Sequence, residues 1–150
     1  MRIALAITSQ YSLQTPPGLI FAPIPLHLGI ARGLSAKGHE VTIFCTEDTK
    51  IEAPLKKYSG GLYSIDSKRL AHPENNYGQV YINASDNILF SEMYRMANEG
   101  KFDIILNSDP ARTIHFVKFT NVPTLFTLHD PLHSVQHVLL ENYTQYTNHW

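Results

Sequence analysis

The sequence predicts an α/β protein in which a doubly wound parallel sheet is covered by helices on both faces. Strand-like and helix-like segments alternate along the 150 residues, a pattern typical of this fold class. The first strand candidate, residues 3–7, reads Ile-Ala-Leu-Ala-Ile. It is continuously apolar instead of alternating, as expected of a central strand that is buried on both sides. The chain is long enough to form one domain with a sizeable core.

A strand, a helix and a second strand follow one another at the start of the chain. After residues 3–7, a proline-rich loop over residues 11–25 leads into the helix. Pro25 is expected in its first turn, where the missing N–H of proline costs nothing. Gly38 is expected to end the helix, and residues 41–45 form the second strand. Such a crossover between parallel strands is strongly favoured to be right-handed.

The first helix is expected to face the sheet with apolar residues that recur at every fourth position: Leu26, Ile30 and Leu34. Gly29 and Gly33 lie among them. Because glycine lacks a Cβ, these two residues are expected to let the helix approach the sheet closely.

The middle of the chain combines many turn residues with one clear helix. Residues 48–80 predict one or two short strands set in loops. Ser85 is predicted to cap the following helix, and Gly100 to end it. The buried side of that helix is expected to consist of Ile88, Leu89, Met93, Met96 and Ala97.

The alternation continues in the last third of the chain. Residues 104–106 predict a short buried strand, residues 111–119 a helix and residues 122–128 another strand. A last helix is predicted over residues 132–146.

Composition and charge exclude several classes of protein. Twelve Lys and Arg against thirteen Asp and Glu give a formal net charge of −1, so nucleic acid is not an expected partner. The single cysteine, Cys45, excludes an internal disulfide, and it is expected to be a small buried side chain rather than a nucleophile. The sequence shows neither a signal-peptide core nor an apolar stretch of ~20 residues. These features predict a cytoplasmic location.

Three motifs that mark common sites on this fold are missing. The first strand is followed by TSQYSLQTPPG, which lacks the GxGxxG of dinucleotide-binding proteins. The sequence also contains no GxxxxGK[ST] phosphate loop and no GxSxG nucleophile elbow. These absences weigh against a dehydrogenase, a nucleoside triphosphatase and an esterase.

Ligands of doubly wound folds bind beyond the carboxyl ends of the strands. The polar residues expected at this edge are Gln10 and Tyr11 after the first strand, Asn107, Ser108 and Asp109 after the strand at 104–106, and His129 and Asp130 after the last strand.

Each charged candidate at this edge has more than one interpretation. His129 could bind a ligand or satisfy nearby backbone groups. Asp109 and Asp130 could accept hydrogen bonds from sugar hydroxyls, or they could cap the helices that follow them. His129 is also spaced at intervals of four with His133 and His137, a pattern that would suit a metal site if one helix carried all three. Pro131 interrupts that pattern, so a metal site is not the favoured interpretation.

Four segments together resemble a known family. They are MRIALAIT, GLSAKGHEVTIFCTED, KFDIILNSD and NVPTLFTLHDPL, and they span most of the chain. In order and spacing they resemble the N-terminal domain of the retaining GT-B glycosyltransferases of family 4.

This resemblance implies that a sugar is transferred from a nucleotide-sugar donor to a sugar or lipid acceptor, with retention of anomeric configuration and without a metal or other cofactor. It also implies two Rossmann-like domains facing each other across a cleft. Residues 1–150 would form the acceptor-side domain, truncated before its last strand. The missing C-terminal domain would hold the nucleotide and a pair of glutamates, so this fragment alone is expected to be inactive. Peripheral contact with a membrane is left open.

The resemblance also bears on individual residues. His129 matches the family's histidine near the reaction centre and is therefore the catalytic candidate. Where the family commonly has a Gly-Gly pair before the first helix, this chain has Phe21 and Ala22, and Gly18 could substitute for the pair only in a shifted loop. Where the family often has histidines after the strand at 104–106, this chain has Asn107 and Ser108. These departures keep a second hypothesis open, a non-catalytic α/β module with a binding or regulatory surface. A metal-dependent hydrolase is a third and weaker hypothesis.

Overall fold

Five parallel strands form one sheet in the order β3-β2-β1-β4-β5. The structure is a computed structural model that describes residues 1–14, 18, 20–65, 78–128 and 141. The strands are β1 (Arg2–Ala6), β2 (Glu40–Phe44), β3 (Lys56–Tyr58), β4 (Ile104–Asn107) and β5 (Thr124–Phe126). The helices are α1 (Pro23–Ala36), α2 (Gly78–Asn98) and α3 (Pro110–Thr113), and a 3₁₀ segment, Ile114–Phe119, follows α3 directly. The predicted Rossmann-like α/β fold is confirmed.

β1 lies at the centre of the sheet and packs on both of its faces. Ala4 and Ala6 belong to a buried cluster with Phe44 and residues of α2, whereas Ile3 and Leu5 belong to a second cluster with residues of α1. This two-sided burial explains why residues 3–7 are continuously apolar.

The helix α1 differs from the prediction in its start and in its buried face. It begins at Pro23 rather than at Pro25, and Gly38 ends it at φ +83°. Its buried residues are Ile24, His27 and Ala31. The buried His27 is satisfied locally, because its Nδ1 lies 2.6 Å from the Pro23 carbonyl.

Ile30 and Leu34 are half-buried and pack against the second cluster, as predicted, but Leu26 is not on the buried face, because a helix turns every 3.6 residues and a strict interval of four drifts. Leu26 is 48% exposed. Gly29 and Gly33 are exposed, and a Cβ on either would meet no atom within 4 Å. Neither glycine therefore brings α1 close to the sheet, which corrects that expectation.

The helix α2 includes all of Gly78–Asn98, so Ser85 lies inside it, buried, and is not its cap. Ile88 is 50% exposed, which corrects its assignment to the buried side. Gly100, at φ +74°, follows the end of the helix as predicted. The core face of α2 consists of Ile82, Leu89, Phe90, Met93, Tyr94 and Ala97.

The remaining predicted elements are shorter or lie outside the described residues. The helix predicted over 111–119 is divided into α3 and the 3₁₀ segment, and the strand predicted over 122–128 is the three-residue β5. One strand, β3, is found in the described part of residues 48–80. The helix predicted over 132–146 lies almost wholly outside the described residues. Within the part of the chain that is described, no helix has the length and apolar character needed to cross a membrane.

Candidate functional site

The order of the strands reverses at β1. The chain passes from β1 to β2 on one side and later returns to β4 on the other side, so β1 and β4 are neighbours joined by a long excursion. In doubly wound folds, the loops that follow two such strands run in opposite directions and leave a crevice between them. Ligands of this fold bind in that crevice. The candidate site is therefore the edge formed by the segments that follow β1 and β4.

The segment after β1 is held in place by hydrogen bonds from its own backbone. The N–H of the fully buried Ser9 donates to Asp86 Oδ1 on α2 at 2.6 Å. The Gln10 N–H donates to Thr8 Oγ1 at 3.0 Å, and the Gln10 carbonyl accepts from the Ile65 N–H at 3.1 Å. The loop backbone is thus fixed from both sides.

The end of β4 is similarly ordered by Asn107, which is 1% exposed. Its Oδ1 accepts from the Asp109 N–H at 2.8 Å, and its backbone carbonyl accepts from the Thr127 N–H at 2.9 Å. Its Nδ2 is buried and has no hydrogen-bond partner among the residues that the structure describes. Beside it, the Ser108 hydroxyl donates to the Ala6 carbonyl at 3.4 Å, which joins this segment to β1.

Asp109 caps α3, as one of its two interpretations predicted. Its side chain accepts from the Arg112 N–H at 3.2 Å, and its Oδ2 lies 3.3 Å from Arg112 Nε. Burial raises the pKa of the Asp109 carboxyl above its ordinary value, although the nearby Arg112 opposes this shift. A carboxylate that is partly desolvated gains from each additional donor that reaches it.

Sequence reasoning missed two residues of this edge, Asp86 and Arg112. Asp86 is completely buried on α2, and its Oδ2 forms an ion pair with Arg112 Nη1. The signal was present in the sequence, because Asp86 stands at helical spacing from the buried Ile82, Leu89 and Phe90. A carboxylate on a buried helix face needs a partner, and Arg112 is that partner.

These contacts form a continuous chain that we call the switch-point network. It consists of Ser9, Asp86, Arg112, Asp109 and Asn107. The network joins the loop after β1 to the end of β4 through α2 and α3, and so it fixes these two segments relative to each other.

The other predicted residues of the first loop lie beside this network or outside the described residues. Gln10 Nε2 donates to the Tyr11 hydroxyl at 2.9 Å, and the Tyr11 ring contacts Phe21 edge-on at 5.2 Å between centroids. Gly18 has φ +87°, a conformation that favours glycine.

His129 and Asp130 lie outside the described residues, as do His133 and His137. Among the described residues, no group of three or more His, Cys, Asp or Glu side chains could hold a metal ion.

The start of α1 offers few backbone donors to an anion. Pro23 and Pro25 have no N–H, and the Ile24 N–H already donates to the Phe21 carbonyl at 3.1 Å. The Leu26 N–H is directed to the Ala22 carbonyl at 3.5 Å. Phosphate binding at a helix start requires free N–H groups, so the first turn of α1 is poorly suited to it.

A separate cavity of about 490 Å³ lies between α1 and the segment before β3. Its lining includes Arg32, Lys50 and Glu52 with mainly apolar neighbours, among them Leu28 and Leu55. None of the residues predicted for the site lines it. The switch point therefore remains the better candidate, because it combines the topology with the polar groups.

Cys45 is buried at the end of β2, as predicted, and burial raises the pKa of its thiol to about 12. Only a thiolate reacts rapidly with disulfide reagents. We expect the native protein to resist labelling by Ellman's reagent at pH 8, and the denatured protein to react with one thiol per chain. Rapid labelling of the native protein would contradict this assignment.

The sequence matches the model of a known protein family. A family model described as Glycosyltransferase Family 4 matches residues 28–150, which is most of the chain. The search of curated proteins finds no match.

Proposed function

Because the chain belongs to Glycosyltransferase Family 4, we propose that it is the acceptor-side domain of an enzyme that transfers a sugar from a nucleotide-sugar donor with retention of configuration. One observation carries this proposal, namely the ordered polar edge that the switch-point network builds at the ends of β1 and β4 in a chain of this family. An acceptor hydroxyl held there would be oriented for attack on the donor sugar.

The described residues favour binding of the acceptor over binding of the donor's diphosphate. The first turn of α1 presents few free N–H groups, and Arg112 is already in contact with two carboxylates. The charge that develops on a departing nucleoside diphosphate needs cations or free backbone donors. We therefore assign these groups, together with the paired glutamates, to a nucleotide-sugar domain outside these 150 residues.

His129 is the residue that we assign to the reaction centre. The assignment is supported by its place in the TLH segment and by the position of that segment in the chain. β5 pairs with β4, with Phe126 opposite Asn107, and the Thr127 N–H binds the Asn107 carbonyl. The backbone up to Thr127 thus continues the edge that carries the network, and His129 follows two residues later in the sequence.

The acceptor is a sugar, either free or lipid-linked, and the reaction takes place in the cytoplasm. A lipid-linked acceptor is favoured by one feature of the surface near the start of α1. Ile20 is 93% exposed and Leu26 is 48% exposed there. Exposed apolar side chains next to a binding edge suit contact with a lipid chain or a membrane surface.

Replacement of His129 by alanine in the full-length protein tests the proposal. We expect turnover to fall at least about tenfold, which corresponds to about 1.4 kcal/mol of transition-state stabilisation. Donor consumption gives the rate, and NMR of the product gives the anomeric configuration. His39→Ala is the matched control, since His39 precedes β2 at the opposite edge of the sheet.

Three results would contradict parts of this proposal. A parent protein that consumes no nucleotide sugar would favour the non-catalytic module. Equal turnover of His129→Ala and the parent would remove His129 from the reaction centre. An inverted product would overturn retention but leave the transfer of a sugar in place.

A further inference from the structure

We propose that Arg112 positions the hydroxyl groups of an uncharged acceptor at the switch point, and that Asp86 is the positioning residue that holds Arg112 there. This inference rests on the proposed function and narrows its substrate to acceptors that carry no anionic group where they contact the network.

The geometry leaves one side of the Arg112 guanidinium available. Nη1 pairs with Asp86, and Nε lies 3.3 Å from Asp109 Oδ2. Among the described residues, Nη2 has no hydrogen-bond partner, and the Arg112 side chain is 32% exposed whereas that of Asp86 is fully buried. A planar guanidinium that is fixed at two of its nitrogens presents the third in a defined direction. That is the arrangement needed to orient a hydroxyl group.

The charges around Arg112 select against an anion. Asp86 and Asp109 both contact the one guanidinium, so the cluster carries no surplus of positive charge when both are ionised. The start of α1 adds few free N–H groups. A phosphate or carboxylate would be repelled by Asp109, whereas a hydroxyl can donate to that carboxylate and accept from Arg112.

A second unpaired donor belongs to the same network. The buried Asn107 Nδ2 has no partner in the described part of the chain, and the Oδ1 of the same amide accepts from the Asp109 N–H. Buried donors are normally satisfied, so this group, which almost no surface connects to solvent, points to an ordered water within the network.

Acceptor kinetics of the full-length protein test this inference. The acceptor KM is measured with neutral p-nitrophenyl hexosides and the corresponding 6-phosphates at saturating nucleotide sugar, and the donor KM by varying the nucleotide sugar at a saturating neutral glycoside. We expect the parent to prefer the neutral glycosides. We expect Arg112→Gln to raise the acceptor KM about tenfold with the donor KM unchanged, and Arg112→Lys to recover only part of the loss. Asp86→Asn should raise the acceptor KM in the same direction.

The control is Arg95→Gln. Arg95 also pairs with two carboxylates, those of Glu92 and Glu99, but it lies nine residues beyond Asp86 on α2, about 13 Å away along the helix. The Arg95→Gln substitution should leave both the acceptor KM and the donor KM unchanged. Thermal denaturation tests whether each variant is folded. If Arg112→Gln is not folded, Arg112→Lys replaces it.

The outcomes separate this inference from the proposed function. If the parent consumes no donor, both are overturned. Only this inference is overturned if the parent transfers sugar but prefers the 6-phosphates. The same holds if Arg112→Gln changes the donor KM rather than the acceptor KM, or if it changes neither KM.

Discussion

Replacement of Asp86 by alanine is expected to lower the free energy of unfolding by about 3 kcal/mol. The substitution removes the carboxylate that accepts from the Ser9 N–H at 2.6 Å and pairs with Arg112. Ser9 is fully buried, so its N–H would lose its partner in a site that water does not reach. Arg112 is 32% exposed and can recover part of its hydration, which keeps the loss at the low end of the range for broken buried ion pairs.

Two further variants separate the hydrogen bond from the charge. Asp86→Asn keeps an oxygen that can accept from Ser9 but removes the ion pair, so we expect a loss of about 1–2 kcal/mol. Glu99→Ala breaks an exposed ion pair with Arg95 on the same helix and should cost less than about 0.5 kcal/mol. Urea denaturation gives all three values. A loss for Asp86→Ala no larger than that for Glu99→Ala would show that the network does not stabilise the fold.

The second large effect is expected in the core between α2 and the sheet. Phe90 is completely buried on α2 and packs in the cluster that contains Phe44, Met93 and Phe102. Truncation to alanine removes a phenyl ring and leaves a cavity, so we expect the free energy of unfolding to fall by about 3–5 kcal/mol. A loss of this size is a large fraction of the stability of a typical domain.

Ile88 provides the matched control on the same helix. It is 50% exposed, so Ile88→Ala should cost less than about 1 kcal/mol. The sequence pattern assigned Ile88 to the buried side of α2, and the pair of variants therefore tests the orientation of this helix. Equal losses for Phe90→Ala and Ile88→Ala would contradict the orientation described above.

The strands were predictable because their signal is local. β1, β2 and β4 each consist mainly of apolar residues in short runs, and both sides of β1 are covered. A strand that is buried on both faces is a continuous apolar run. This pattern can be recognised in the sequence without knowing which elements pack against the strand.

The helix faces were less predictable because each helix contacts the sheet with only part of its circumference. On α1, a strict interval of four placed Leu26 on the buried face, whereas Ile24 and Ala31 are buried there. On α2, the predicted cap Ser85 lies inside the helix, seven residues after Gly78. Such local preferences are weak and yield to tertiary packing.

Hydrophobic pattern and motif order were enough to predict the family, the order of strands and helices in the described part of the chain, and the edge of the sheet where polar residues gather. The network of Ser9, Asp86, Arg112, Asp109 and Asn107 became visible only once the chain was folded. A buried carboxylate is stabilised by partners close in space, and those of Asp86 come from the loop after β1 and from α3, which are separate from α2 along the chain. No spacing within a single segment encodes such a partnership.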